Sequence, residues 1–151
     1  LDTHHDLPTV DVAEDELDRV DFAPFRALAD LPMAMTAHLV FAALDPGLPA
    51  TQSPKMIGII RDRIGFKGLL MSDDLNMQAL KGSLAERTRR TIAAGVDVAL
   101  HCKGDLAEMR DVAEAAGDLT PAAALRARAA LAARPAAGMA LEDALAGLAH
   151  G

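Results

Sequence analysis

Two clusters of carboxylates and imidazoles in this chain of 151 residues could carry chemistry, and the first lies at its start. The stretch LDTHHDLP places Asp2 and His4 two residues apart, with His5 and Asp6 beside them. A histidine can exchange a proton near neutral pH, and an adjacent carboxylate can fix its tautomer and raise its basicity. Asp2 and His4 could therefore form a general acid/base dyad, and a solvated polar loop is the alternative interpretation.

The second cluster is Asp73 and Asp74 in GFKGLLMSDDLNMQAL, where one apolar run ends and another begins. A carboxylate at the end of a buried strand is partly desolvated, and a neighbouring carboxylate disfavours ionisation of both. Functional carboxylates are common in such surroundings, whereas an aspartate can also simply cap the following helix. We expect Asp73 to carry chemistry and Asp74 to be the helix cap.

Three other side chains stand near the ends of the expected strands. His38 in MTAH could face a ligand, support a ligand-facing group or lie in the core, and His101 has the same alternatives. Met77 follows Asp73 by about one helical turn and could line the mouth of a site. His38 and Met77 are therefore the candidate substrate-binding residues. Cys102 has no neighbouring motif, so we interpret it as a packing residue.

The composition excludes several kinds of partner. The formal net charge is −7, which argues against nucleic acid or an anionic membrane as the main partner. No apolar run reaches the roughly 18 residues that a membrane span requires. Since the chain has one cysteine, it cannot form an internal disulfide, and a reducing compartment such as the cytoplasm is expected.

The elements that must position these residues alternate between strands and helices. Apolar runs predict strands at 32–41, 68–73 and 95–102. Periodicity and capping signals predict helices at 21–30, 53–65, 76–95, 105–117 and 120–135. This alternation is typical of a parallel sheet in an α/β fold.

A parallel sheet would gather the polar residues at one edge. His38, Asp73 and His101 each end a predicted strand, and ligands bind at that edge in α/β folds. Three strands cannot close a TIM barrel, which needs eight. The sheet is therefore either small and open or part of a larger barrel, and the start at Leu1 favours the second alternative.

Several motifs together resemble family 3 β-N-acetylglucosaminidases. DTHHDLP is similar to the Asp-(Ser/Thr)-His-x-x-Leu-Pro loop of that family, and SDDLNM is similar to its strand-end motif. MTAH, PATQSP and AGVDVAL follow the family's order and approximate spacing, so the resemblance runs from residue 1 to about 103. It implies that residues 1–135 are the C-terminal half of a TIM-barrel domain, with strands six to eight. Residues 136–151 would be a tail with a short helix.

The resemblance also implies a reaction. Asp73 would be the nucleophile of a retaining exo-β-N-acetylglucosaminidase, His4 the general acid/base and Asp2 the residue that orients His4. His5 occupies a variable position and receives no role. The expected substrates are peptidoglycan fragments (GlcNAc-anhydroMurNAc) in the bacterial cytoplasm, with no cofactor. The family's Lys-His-x-Pro-Gly-His-Gly segment is absent, so the N-terminal half of the barrel is the expected partner.

Three alternatives remain open. A family 3 enzyme of the β-glucosidase type would share the mechanism. A metal-dependent hydrolase could use Asp2, His4, His5 and Asp73 as ligands of zinc or manganese. No H-E-x-x-H or comparable spacing supports a metal site, so none is predicted. The third alternative is a non-catalytic α/β binding domain in which these residues are caps and loop polars.

Overall fold

A computed structural model describes residues 7–134 of the chain. The strands in this range are β1 (Thr9–Val10), β2 (Met33–Met35), β3 (Val40–Phe41), β4 (Leu69–Asp74) and β5 (Val98–Leu100). The α-helices are α1 (Glu14–Glu16), α2 (Ala23–Ala27), α3 (Pro54–Gly58), α4 (Leu84–Ala93), α5 (Leu106–Ala116) and α6 (Pro121–Ala132). Two π-helical segments, Leu17–Asp21 and Ile59–Arg63, continue α1 and α3, and a 3₁₀ turn spans Ala50–Gln52. The predicted tail at 136–151 lies outside the described residues.

All strand pairs in this range are parallel, which confirms the expected α/β class. One sheet has the order β2-β4-β5, and a second pairs β1 with β3. The predicted strands at 68–73 and 95–102 correspond to β4 and β5. The predicted strand at 32–41 is instead two short strands, β2 and β3, because the chain leaves the sheet between them. That interruption contains Thr36 and His38.

Local capping signals place most helices. Ser53 accepts a hydrogen bond from the Met56 amide and Thr120 from the Ala123 amide, and each is followed by proline at the first helical position. The predicted helices at 53–65 and 120–135 therefore begin at the expected residues. The predicted helix at 21–30 is the shorter α2, and the one at 105–117 is α5.

The predicted helix at 76–95 is wrong in its first third. Residues 76–82 form turns, and α4 begins only after Ser83, whose hydroxyl accepts from the Glu86 amide while the Glu86 side chain accepts from the Ser83 amide. This capping box fixes the start of the helix at residue 84. Gly82 lies just before it with φ of +96°, a conformation that glycine adopts without strain.

One face of the three-stranded sheet is covered by helices. Leu70 of β4 packs with Ile57, Phe66, Ala94 and Val96, and Ala34 of β2 contacts the same cluster. Parallel partners share a face, so Met33 and Met35 of β2 lie on the opposite side with Leu69 and Met71. Met33 is 43% exposed and Met35 is 53% exposed, which leaves apolar surface on that side uncovered by residues 7–134.

A buried acid joins the helical layer to the sheet. The Asp97 carboxylate, immediately before β5, accepts from Arg61 at 2.7 Å and from Arg126 at 2.7 and 2.9 Å. It also accepts from the Leu70 amide at 2.9 Å. Burial raises the pKa of Asp97, but the hydrogen bonds from Arg126 and Leu70 and the charge of Arg61 outweigh it, and the pKa lies below its usual value.

Candidate active site

Asp73 lies at the end of β4, where the pairing with β5 becomes irregular. Met71 pairs with Val98 and Asp74 with Leu100. Between these two pairs β4 advances by three residues, whereas β5 advances by two. A bulge of this kind changes the direction of the following side chains and is common beside active sites. The buried Ser72 hydroxyl accepts the Leu100 amide at 2.9 Å, which satisfies a donor at the bulge.

The two adjacent aspartates have different surroundings. Asp74 accepts the amides of Asn76 at 3.1 Å and Cys102 at 3.2 Å through one carboxylate oxygen. The half-buried Asp73 accepts the Asp74 amide at 2.8 Å and makes no ion pair within residues 7–134. The expectation that Asp74 caps the next helix is wrong, because Ser83 caps α4. Asp74 instead closes a turn and ties it to the chain after β5.

His38 lies behind the end of β4. Its side chain is 1% exposed, with Nδ1 2.9 Å from the Thr51 hydroxyl and Nε2 2.9 Å from the Asp74 carbonyl oxygen. Burial lowers the pKa of His38, while the bond to Asp74 and the charges of Asp73 and Asp74 act in the opposite direction. His38 is therefore unsuited to the predicted contact with substrate, because its side chain offers almost no surface. It contacts the strand that carries Asp73 instead.

His101 belongs to a polar cluster at the end of β5. Its Nε2 lies 2.9 Å from Glu108 Oε2, and the Asn76 side chain donates through Nδ2 to the same oxygen at 2.8 Å. Lys103 donates to the other Glu108 oxygen at 2.6 Å. The hydrogen bond from Lys103, followed by those from His101 and Asn76, lowers the pKa of Glu108 to about 2. This carboxylate therefore stays ionised across the physiological range.

Sequence analysis did not identify three members of that cluster. Asn76 follows the two aspartates, and Lys103 and Glu108 flank the start of α5. The spacing from Asp105 to Glu108 resembles a helix start, and Asp105 does cap α5 by accepting the Glu108 amide. That local signal concealed the second role of the Glu108 side chain, which depends on contacts 32 residues away along the chain.

Met77 is a buried residue of the turn after β4. Its side chain is 8% exposed, and its amide donates to the Asp74 carbonyl at 3.2 Å. Its own carbonyl accepts from Arg87 of α4 at 3.0 Å. The turn is therefore fixed to both the strand end and the helix. A contact between Met77 and substrate stays a prediction.

The residues that would complete the catalytic pair are Asp2 and His4, and they lie outside the described residues together with His5 and Asp6. Within residues 7–134, no group of three or more histidine, cysteine, aspartate or glutamate side chains is arranged to hold a metal ion. In the same range, every helix is too short or too polar to cross a bilayer.

Known proteins resemble this chain in both sequence and fold. The sequence model of the glycosyl hydrolase family 3 N-terminal domain family matches residues 1–131. A β-hexosaminidase of Alkalilimnicola ehrlichii is 43% identical over 106 residues, which are 67% of this chain and 30% of that protein. A family 3 β-N-acetylglucosaminidase from a Paenibacillus species has a TM-score of 0.74 at 29% identity, covering 95% of this chain and 31% of that one.

A further solved relative contains a sugar ligand. NagZ from Neisseria gonorrhoeae, in complex with N-trifluoroacetyl-D-glucosamine, has a TM-score of 0.71 at 30% identity. The match covers 97% of this chain and 42% of that one. The chain thus spans less than half the length of each of these relatives. With 131 residues matched by the family model, the chain belongs to the glycosyl hydrolase family 3 N-terminal domain family.

Proposed function

We propose that this chain carries the nucleophile of a retaining exo-β-N-acetylglucosaminidase, and that the nucleophile is Asp73. The observation that carries this proposal is the difference between the two aspartates at the end of β4. The Asp74 carboxylate binds two backbone amides from separate segments, whereas Asp73 is half-buried and has no cationic partner in residues 7–134. A carboxylate that is fixed but not neutralised is suited to attack an electrophilic carbon.

The reaction would proceed in two steps. Asp73 attacks the anomeric carbon and displaces the leaving group, so that a covalent glycosyl-aspartate forms. Water then attacks the same carbon from the opposite side and releases the sugar with its original configuration. His4 would give a proton to the leaving oxygen and later take one from water, and Asp2 would orient its ring. An imidazole in this role avoids a second anion beside Asp73.

The relatives support an N-acetylated amino sugar as the substrate. The Neisseria gonorrhoeae structure holds N-trifluoroacetyl-D-glucosamine, and the relatives are named β-hexosaminidase or β-N-acetylglucosaminidase. We assign terminal GlcNAc of peptidoglycan fragments (GlcNAc-anhydroMurNAc) as the substrate and the cytoplasm as the location. Met77, fixed in the turn after Asp73, is the proposed contact to the sugar.

The partner would be the N-terminal half of the same barrel. Parallel sheets are normally covered on both faces, yet Met33 and Met35 expose apolar surface on one face. In addition, within residues 7–134 β5 pairs only with β4, and a cleft of about 490 Å³ runs beside β5, α5 and α6. A strand and a helix from the N-terminal half would fill that edge, and β2, β4 and β5 would then be strands six to eight of the barrel.

Hydrolysis of a chromogenic N-acetyl-β-glucosaminide by the complete protein tests this function. Asp73→Ala should abolish turnover, whereas Asp62→Ala, which removes an exposed carboxylate, should not. Azide should partly restore Asp73→Ala and give the α-glycosyl azide, because the small anion attacks from the side that the carboxylate vacates. Absence of turnover in the folded wild-type protein contradicts the proposal. Faster turnover of the matching β-glucoside would favour the β-glucosidase alternative, and loss of activity with a chelator would favour a metal hydrolase.

A further inference from the structure

A chain of buried polar side chains lies beneath the strand end that carries Asp73. The Thr36 hydroxyl lies 2.8 Å from the Thr51 hydroxyl, which in turn lies 2.9 Å from His38 Nδ1. His38 Nε2 lies 2.9 Å from the Asp74 carbonyl oxygen. All three side chains are buried, with Thr51 fully enclosed and His38 1% exposed. The threonines and the histidine come from the interruption after β2 and from the 3₁₀ turn at Ala50–Gln52.

The donors and acceptors around His38 fit only one tautomer of its neutral ring. A carbonyl oxygen can only accept, so Nε2 must carry the hydrogen that it donates to Asp74. Nδ1 of the neutral ring is then an acceptor, and the Thr51 hydroxyl must be its donor. The Thr36 hydroxyl completes the sequence by donating to Thr51. The Ala37 carbonyl, 3.1 Å from the Thr51 hydroxyl, is the competing acceptor.

The last hydrogen bond of this series, from His38, reaches the peptide unit that follows the two aspartates. The Asp74 carbonyl accepts from His38, and the amide of Leu75 in the same peptide unit donates to the Leu100 carbonyl at 3.0 Å. Hydrogen bonds therefore run from the end of β2 through the end of β4 to the end of β5. The β4–β5 ladder is irregular at this point, so these bonds replace regular pairing beside Asp73.

We propose that Thr36 and Thr51 hold His38 as the Nε2–H tautomer, and that His38 is a positioning residue which fixes the bulged end of β4 and thereby the Asp73 carboxylate. The effect on the reaction rests on the proposed function, whereas the tautomer does not. His38 is enclosed and cannot contact a sugar, so it acts through the backbone. The charged groups that influence its ring are Asp73, Asp74 and Arg87.

The tautomer is measurable without any activity. Long-range ¹H–¹⁵N spectra of the labelled protein should show a pyridine-type Nδ1 and a pyrrole-type Nε2 for His38, assigned by the loss of the signals in His38→Gln. Thr51→Ser keeps the hydroxyl and should keep this pattern, whereas Thr51→Val removes the donor and should shift the Nδ1 signal. A protonated Nδ1 in the neutral wild-type ring overturns the proposal.

Kinetics then test the positioning role in the complete enzyme. Thr51→Val should lower kcat by about tenfold or more with KM changed less than about twofold, because the bound sugar keeps its contacts while the nucleophile is displaced. Thr51→Ser should recover most of the rate. Thr91→Val is the matched control, since Thr91 is equally buried but its hydroxyl has no partner in the described chain, and the rate should not change. Equal rates in Thr51→Val and wild type overturn the positioning role, whereas an inactive wild type with the expected tautomer overturns only the proposed function.

Discussion

Asp97→Asn should destabilise the protein strongly although it changes only one atom. The wild-type carboxylate holds the guanidinium groups of Arg61 and Arg126 and the Leu70 amide. An asparagine can still accept from Leu70, but its amide group would face a guanidinium, and both are donors. The substitution therefore leaves two cations beside a neutral side chain that can satisfy only part of their hydrogen bonds.

The size of the effect follows from the burial of the partners. Removing one member of a buried ion pair costs about 3–5 kcal/mol. Arg61 is 16% exposed and Arg126 is 29% exposed, so water can rehydrate them in part, and the lower value of about 3 kcal/mol applies. Domains of this size lose about 1.5 kcal/mol of stability per molar urea, so the midpoint should fall by about 2 M.

Urea unfolding at pH 7 followed by circular dichroism measures this effect. Asp62→Asn removes the same charge from an exposed position and should change stability by less than about 0.5 kcal/mol. The lowered pKa of Asp97 adds a pH dependence: its contribution is present above the ordinary carboxyl pKa and is lost as the pH falls through the folded value. The stability difference between wild type and Asp97→Asn should therefore shrink in acid. Equal midpoints for Asp97→Asn and Asp62→Asn at pH 7 would refute the assigned role of the Asp97 carboxylate.

Two further predictions concern backbone and electrostatics. Gly58→Ala should stabilise the protein by about 0.5–1 kcal/mol, because the position is helical and an added Cβ meets nothing within 4 Å. Gly68→Ala should destabilise it by about 2 kcal/mol, because the Cβ would lie 2.6 Å from the Leu31 carbonyl oxygen. Thermal unfolding measures both variants, and equal Tm changes for Gly58→Ala and Gly68→Ala would contradict both predictions. The Glu108 carboxyl should titrate at about 2 by NMR, and Lys103→Met should raise its pKa; an unchanged value would mean that Lys103 is not the main cause.

Features set by neighbouring residues were predictable from the sequence. The apolar run at 68–73 became β4, and the Ser-Pro and Thr-Pro pairs marked the starts of α3 and α6. The expectation of parallel strands was also correct, because strand-helix alternation leaves few other arrangements. The choice of Asp73 over Asp74 as the reactive acid rested on its position at the strand end and on the family resemblance, and it stays a prediction.

Features set by distant contacts were not predictable. Met77, Leu80 and Leu84 have helical spacing, but Met77 and Leu80 are buried in turns that precede α4. Arg87 holds these turns through the carbonyls of Leu75 and Met77. The bulge at Ser72 depends on the neighbouring strand, which periodicity within β4 cannot reveal. Leu17 is fully buried although the stretch DVAEDELDRVD around it is strongly acidic, and its partners lie elsewhere along the chain.

His38 illustrates how the same residue type can support several interpretations. Its position at a strand end was compatible with a ligand contact, a supporting role or the core. Only the bonds to Thr51 and to the Asp74 carbonyl separate these alternatives. Those partners lie 13 and 36 residues away along the chain, so no local pattern could have identified them.

The most direct test of the account is to locate the covalent intermediate. The complete enzyme should be quenched in acid during turnover of a slow N-acetyl-β-glucosaminide and digested for peptide mass spectrometry. The account predicts one added N-acetylglucosaminyl unit on the peptide of β4, assigned to Asp73 by fragmentation and absent from Asp73→Ala. An adduct on Asp74, or turnover that releases the inverted anomer without any adduct, would contradict the assignment of Asp73 as the nucleophile.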